Sequence, residues 1–350
     1  MTIGDFFRGK RVLLTGHTGF KGAWLSIWLR ELGAMVCGAS LNPPTSPSIF
    51  DLAKLASLLD SHIVDIRDID PLKKLVAQFD PQIVFHLAAQ PLVRDSYDEP
   101  IETFSSNVMG TVNVLEALRG RPNCRVAVMV TSDKVYRNVE WVYPYREDDA
   151  LGGRDPYSAS KAAAEIVTSA YWNSYFRDSG TAVASARAGN VIGGGDWSKD
   201  RLLPDAVRAW QAGVPLAVRH PEAHRPWQHV LDALYGYMLL AEALWRDASL
   251  SGPWNFGPAT HQTATVGEVL ELARRAYGGG EIVAADVSPR MHEAGRLMVE
   301  SAKARAVLGF APRLTLDESV RRTMAWYRDL AQGQAALDLC RADIASFGSA

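Results

Sequence analysis

Cysteine is scarce in this chain. Its three residues, Cys37, Cys124 and Cys340, are an odd number and show no CxxC spacing. That pattern excludes a disulfide framework, suggests no zinc site, and fits a reducing cytosol. Long apolar runs are also missing. No stretch approaches the roughly 18 uncharged apolar residues that a membrane span requires, and residues 1–10 lack the apolar centre of a signal peptide. The expectation is a soluble protein without a membrane partner. An excess of one charge is missing too: 37 Lys and Arg face 39 Asp and Glu, a net charge of -2. Such a balance gives no electrostatic drive toward a polyanion, so nucleic acid is not an expected partner. What remains is ordinary globular composition, 47% hydrophobic and 22% charged over 350 residues, which excludes disorder and suits two domains.

The first half alternates short apolar or β-branched runs with longer helical patterns, the signature of βαβ units around a parallel sheet. Strands are expected at 11–15, 35–40, 62–65, 83–88, 126–132 and 182–187, with helices at 21–32, 70–78, 98–119 and 156–178. Runs such as Val126-Ala127-Val128-Met129-Val130 are apolar throughout, as in strands covered on both faces. After about residue 190 the rhythm breaks into shorter elements, with helices expected at 202–212, 230–246, 266–277, 301–307 and 316–332. The fold class is therefore α/β, a Rossmann-type doubly wound parallel sheet with a smaller, mostly helical C-terminal substrate domain. Residues 1–190 are expected to form the dinucleotide domain, rejoined by 229–258. Residues 191–228 and 259–332 form the substrate domain, and 333–350 a C-terminal helix that frays into a tail.

Between the first strand and first helix runs Gly16-His17-Thr18-Gly19-Phe20-Lys21-Gly22. Glycines at this spacing let the backbone turn tightly and approach a pyrophosphate, whose charge suits the free N–H groups opening a helix. His17 and Lys21 are unusual there, adding bulk and charge. An acidic residue that would bind the adenosine ribose is absent from the end of the second strand, which offers only Ser40 and Asn42; NAD and NADP both stay open on this reading. Asp65 and Ile66, after the third strand, are candidates to meet the adenine.

Tyr157 and Lys161 lie four apart on one predicted helix, hence on one face. A nearby ammonium lowers a phenol pKa, which suits Tyr157 to take a proton from a substrate hydroxyl. Ser132, at the end of the fifth strand, is placed to hydrogen-bond that same oxygen, and Asp133 and Lys134 add an acid and a base beside it. The competing reading of Asp133 and Lys134 is a surface ion pair at a strand end.

These segments, with Phe85-His86-Leu87-Ala88-Ala89-Gln90 and Arg225-Pro226-Trp227-Gln228-His229-Val230, resemble the extended short-chain dehydrogenases/reductases, and among them the CDP-D-glucose 4,6-dehydratase family, over roughly residues 10–330. The resemblance implies an NAD+-dependent lyase acting on CDP-glucose by oxidation at C4, elimination across C5–C6 and reduction at C6. In it Tyr157, Ser132 and Lys161 serve the redox step, Lys134 is the base at C5, and Asp133 is the acid at the C6 hydroxyl. It also implies cofactor contacts from residues 16–22, Ser40, Asp65, Ile66, Leu87, Ala88, Ala89, Asn107, Thr131, Tyr157 and Lys161. Substrate contacts would come from Gln90, Ser132, Asn190 and the Arg290–His292 segment, with a homodimer, or a homotetramer, built on helices 98–119 and 156–178.

Planar guanidinium groups bind a diphosphate bidentately, which makes Arg201, Arg219, Arg225 and Arg290 candidates for that role. Residues 187–229 carry six Lys or Arg against four Asp or Glu, a slight local excess that suits one small anion. Neither His86 nor His292 belongs to a metal-binding spacing, and no metal is expected. Trp24 and Trp28, four apart, read as packing anchors, whereas Trp197 and Trp227 are better placed for a contact. A 4-epimerase of the same fold would share Tyr157, Lys161 and the glycine turn but needs no elimination acid and base. A UDP- or dTDP-sugar 4,6-dehydratase is the nearer rival. A catalytically silent NAD-sensing protein would have no use for the intact Ser132, Tyr157 and Lys161.

Overall fold

The computed structural model describes residues 3–260, 262–285 and 295–348. Seven strands form one parallel sheet: β1 Arg11–Thr15, β2 Met35–Ser40, β3 Asp60–Ile63, β4 Ile83–His86, β5 Val126–Val130, β6 Ala182–Ala188 and β7 Gly252–Phe256. Their spatial order is β7-β6-β5-β4-β1-β2-β3. The order reverses between β1 and β4, and the crevice beyond the carboxyl ends of those strands is where such sheets take ligands.

Strand alternation explains the continuous apolar runs. Val12, Leu14, Phe85, Val126 and Val128 enter one core, while Leu13, Val84, Ala127 and Met129 enter a second on the opposite face. Helices cover both sides. Among them are α1 Phe20–Glu31, α2 Ile69–Phe79, α3 Gly110–Leu118, α4 Pro156–Tyr171, α5 Leu202–Gln211, α6 Val230–Arg246, α7 Val266–Tyr277, α8 Leu316–Ala331 and α9 Ala336–Gly348.

The helix expected over 98–119 runs from Pro100 to Leu118, widening to a π-helical segment over Ser105–Met109 before α3, and a separate short helix, Val93–Asp98, precedes it. Pro100 opens a new helix because a proline tolerates the first turn, not the interior. Residues 336–348 form the helix expected near the C-terminus, and it is packed against the core. Cys340 and Phe347 are fully buried, Phe347 meets Trp28 edge-on, and Arg341 pairs with Glu31 of α1 at 2.8 Å. Trp24 is buried as an anchor, its Nε1 donating to the Gly194 carbonyl at 2.9 Å.

Short strand pairs assemble the region over the sheet's carboxyl edge: Val191–Ile192 with Gln228–His229, Leu216–Val218 with Ile282–Ala284, and His224–Arg225 with Ala264–Thr265. Among the described residues, no helix is long and apolar enough to cross a membrane.

Candidate active site

A cleft of about 480 Å³ opens at this edge. It is lined by Lys21, Leu87, Ala89, Thr131, Ser132, Asp133, Lys134, Tyr157, Lys161, Asn190, Arg201, Arg219 and Arg225, among others. Tertiary structure thus gathers into one cleft all five of the expected acid–base and redox residues, with candidate arginines drawn from widely separated segments.

Asp155 starts the helix that carries Tyr157 and Lys161. Its carboxylate accepts the Ser158 N–H at 2.9 Å, and Pro156 fills the first helical position. Lys161 Nζ donates to the Val130 carbonyl at 3.2 Å. Burial pushes this amine down to about 8, with Glu165 opposing. The Tyr157 phenol is pushed up, chiefly by burial, while Ser132 and Arg201 pull it back down. Desolvation thus raises the phenol that Lys161 was expected to lower.

Ser132 ends the strand-to-turn transition after β5. Its hydroxyl accepts the Lys134 N–H at 3.2 Å and donates to Asp133 Oδ1 at 3.1 Å. Asp133 is buried, not the surface partner of an ion pair, and its Oδ2 has no hydrogen-bond partner. Burial raises its carboxyl above the ordinary range, the direction a proton donor needs, while Lys134 works against the shift. Gly189 makes room for it. A Cβ there would lie 2.7 Å from both Asp133 Oδ2 and Pro226 Cγ.

The glycine turn fits a pyrophosphate. Gly16 has φ +78°, and a Cβ on it would lie 2.7 Å from the Ala88 nitrogen; a Cβ on Gly22 would meet the Gly16 carbonyl oxygen at 2.0 Å. Gly19 precedes α1 with no side chain capping the helix, which leaves its first N–H groups for a ligand. Phe20 packs beside Gly193. Lys21 reaches into the cleft, its Nζ 5.9 Å from the Tyr237 ring centre. Burial first, then the charges of Arg201 and Lys161, push that amine down to about 7. His17 does otherwise. Its ring packs over Gly38 and against Phe50, with Nε2 2.7 Å from Ser61 Oγ, and burial lowers it to about 4.

A model of the GDP-mannose 4,6 dehydratase family matches residues 13–323. The chain belongs to this family. A CDP-glucose 4,6-dehydratase from Salmonella typhimurium is 46% identical over 352 residues, covering 99% of this chain and 98% of its own. A dTDP-glucose 4,6-dehydratase from Neisseria gonorrhoeae is 28% identical, covering 91% and 96%. Among solved structures, the Thermus thermophilus UDP-glucose 4-epimerase in complex with NAD superposes with TM-score 0.79 at 26% identity, over 91% of this chain and 99% of that one.

Within this member of the GDP-mannose 4,6 dehydratase family, several expected site residues make framework contacts. Gln90, expected at substrate, turns its amide to Thr103 Oγ1 at 2.8 Å and to the Leu92 backbone. Asn107, expected at the cofactor, accepts the Gln90 N–H at 2.8 Å and donates to Ser160 Oγ at 2.8 Å. Both polar groups are consumed in fastening the loop after β4 to α4. Ser40 hydrogen-bonds Thr18 at 2.7 Å, Ala88 donates to Thr15 Oγ1 at 3.2 Å, and Ile66 is buried against Gly110. Asp65 is held by Arg67 at 2.5 Å, and that guanidinium depresses its carboxyl.

Arg201 pairs with buried Asp196 at 2.9 Å, and its charge is felt at both Tyr157 and Lys21, which puts it near them in the cleft. Arg219 and Arg225 line the cleft as well. Trp227 lines it too, while Trp197 packs edge-on against Tyr327. Arg290 and His292 lie outside the described residues.

Sequence reasoning missed Glu165 and its partner Arg187, a buried pair at 3.0 Å. Glu165 also accepts from Thr131 Oγ1, next to Ser132. The available signal was its position four residues beyond Lys161, on the same helix face.

Proposed function

We propose that this protein is a CDP-glucose 4,6-dehydratase that converts CDP-glucose to CDP-4-keto-6-deoxyglucose and water. The observation that carries this reading is the buried Asp133 with Lys134 beside Ser132, Tyr157 and Lys161 in one cleft. Elimination needs a second acid and base that epimerisation does not. The 46% identity to a CDP-glucose 4,6-dehydratase supports the nucleotide.

The glycine turn and the start of α1 would hold NAD+, which would supply redox capacity by accepting a hydride from C4 and returning that hydride to C6. Tyr157 takes the O4 proton with Ser132 sharing the oxygen and the Lys161 ammonium stabilising the phenolate. The resulting ketone acidifies C5. Lys134 removes the C5 proton while Asp133 protonates the departing C6 hydroxyl, and Lys134 later returns the proton to C5. Arg201, Arg219 and Arg225 hold the diphosphate, and the region 191–228 with 259–332 supplies the sugar-nucleotide side. Two copies pair through the neighbourhood of α3 and α4, where Ile101, Met109, Ile166 and Tyr175 are exposed; a monomeric mass in solution would exclude this.

Incubation with NAD+ and CDP-glucose should convert the C6 hydroxymethyl protons to a methyl doublet by NMR, with dTDP-, UDP- and GDP-linked sugars far slower. Tyr157→Phe should abolish the signal. No methyl product from CDP-glucose would end this assignment.

The Lys161 shift adds a pH expectation. Below about 8 its amine carries the charge that favours the Tyr157 phenolate, and above about 8 that charge is lost. The alkaline limb of kcat/KM should therefore fall near pH 8 rather than in the ordinary lysine range, and should vanish in Lys161→Met, whose residual rate has no such limb.

A further inference from the structure

Cys37, Asp60 and His62 carry no metal-binding spacing in sequence, yet the sheet brings them together. β2 and β3 pair in parallel with Cys37 opposite Asp60 and Ala39 opposite His62. Side chains two apart along a strand share a face, and paired residues share it too, so all three project to one side at the sheet's edge. The Cys37 thiol, an Asp60 carboxylate oxygen and a His62 ring nitrogen all lie within 4.8 Å of one another. Among the described residues, no other trio of His, Cys, Asp or Glu converges in this way.

The donors differ in depth. Cys37 is fully buried, packed with Leu13, Leu72 and Val76, while the side chains of Asp60 and His62 stay 57% and 40% exposed. A dry sulfur floor thus sits beneath a wet mouth of carboxylate and imidazole. We propose that Cys37, Asp60 and His62 form a site for a thiophilic divalent cation of the Zn2+ class, with water as fourth ligand.

Tetrahedral zinc with bonds of about 2.0 Å to N or O and about 2.3 Å to S spaces neighbouring donors roughly 3.3–3.6 Å apart. His62 Nε2 and Asp60 Oδ1, now 2.8 Å apart, need only separate by less than about an ångström to meet that spacing. Thiolate and imidazole together favour zinc, cadmium or cobalt over magnesium and calcium. Binding exchanges the thiol S–H bond for a sulfur–metal bond, releases one proton to solvent and changes no oxidation state. Because β3 is the edge strand, paired on one side only, the ion would clasp it to β2.

Untagged full-length protein, stripped with a chelator, should be titrated with Co2+ and then with Zn2+. The expected result is one equivalent of Co2+ with a sulfur-to-cobalt charge-transfer absorption, displaced by Zn2+, and a melting temperature raised by Zn2+. Cys37→Ser should lose the band, and His62→Ala should weaken binding by at least about tenfold, the least that even an outer partner of a metal site contributes. Absence of the charge-transfer band in wild-type protein, or Co2+ affinity unchanged in His62→Ala, overturns the site. His62 is partly exposed, so that variant keeps the test decisive even where Cys37→Ser does not fold.

Discussion

Asp133→Asn should reduce formation of the methyl product by about 10²–10⁴-fold, the usual contribution of a positioned general acid. Asparagine keeps the shape of the carboxylate and still accepts the Ser132 hydroxyl, so the fold and the redox residues stay in place, but the proton for the C6 hydroxyl is gone. Lys134 remains able to remove the C5 proton. In D2O, recovered CDP-glucose should therefore acquire deuterium at C5 in Asp133→Asn, whereas Lys134→Met should show neither exchange nor product. The two NMR signals divide the acid from the base. Product formed by Asp133→Asn within about tenfold of the wild-type rate would remove Asp133 from the mechanism.

The second large effect concerns stability. Glu165 lies under the catalytic strand end, accepting from Thr131 and Ser185 hydroxyls and from Arg187 Nε and Nη2, each of these nitrogens at 3.0 Å. Arg187 Nη1 continues to the Tyr136 hydroxyl at 2.8 Å and the Glu147 carbonyl at 2.9 Å, so the guanidinium is surrounded by acceptors in the interior. Glu165→Gln leaves that cation buried without its counter-charge, which costs about 3–5 kcal/mol. For a chain of this length the loss corresponds to a melting temperature about 4–7 °C lower. The double variant Glu165→Gln, Arg187→Met should recover part of it, because the stranded charge is then gone. Denaturant titrations test both, and a Glu165→Gln loss below about 1 kcal/mol would contradict the account.

Local pattern carried much of the fold. The strands 11–15 and 35–40 and the helices 230–246 and 266–277 coincide with β1, β2, α6 and α7, because each is a run whose periodicity is bounded by a clear start or stop. The expected helix 98–119 is present from Pro100 to Leu118, its start set by the proline and its middle widened over Ser105–Met109, which periodicity alone does not reveal. In the site, the spacing of Tyr157 and Lys161 was legible because both sit on one helix. The framework bonds of Gln90 to Thr103 and of Asn107 to Ser160 were not legible, because those partners become neighbours only when the chain folds. The direction of the His17 ring was hidden for a related reason: it turns toward Ser61, 44 residues away.

The sequence by itself determined the alternation of strand and helix, the glycine turn before α1 and the residue types at the end of β5, since these depend on short-range spacing. Tertiary structure alone decided the charge environment of those residues. Burial raised the Asp133 carboxyl, the Tyr157 phenol rose rather than fell, and Glu165 met Arg187 across the gap between a helix and a strand. It also decided that Cys37, Asp60 and His62 share a face, because strand register is set by the pairing of whole strands and leaves no mark in the spacing of three scattered side chains.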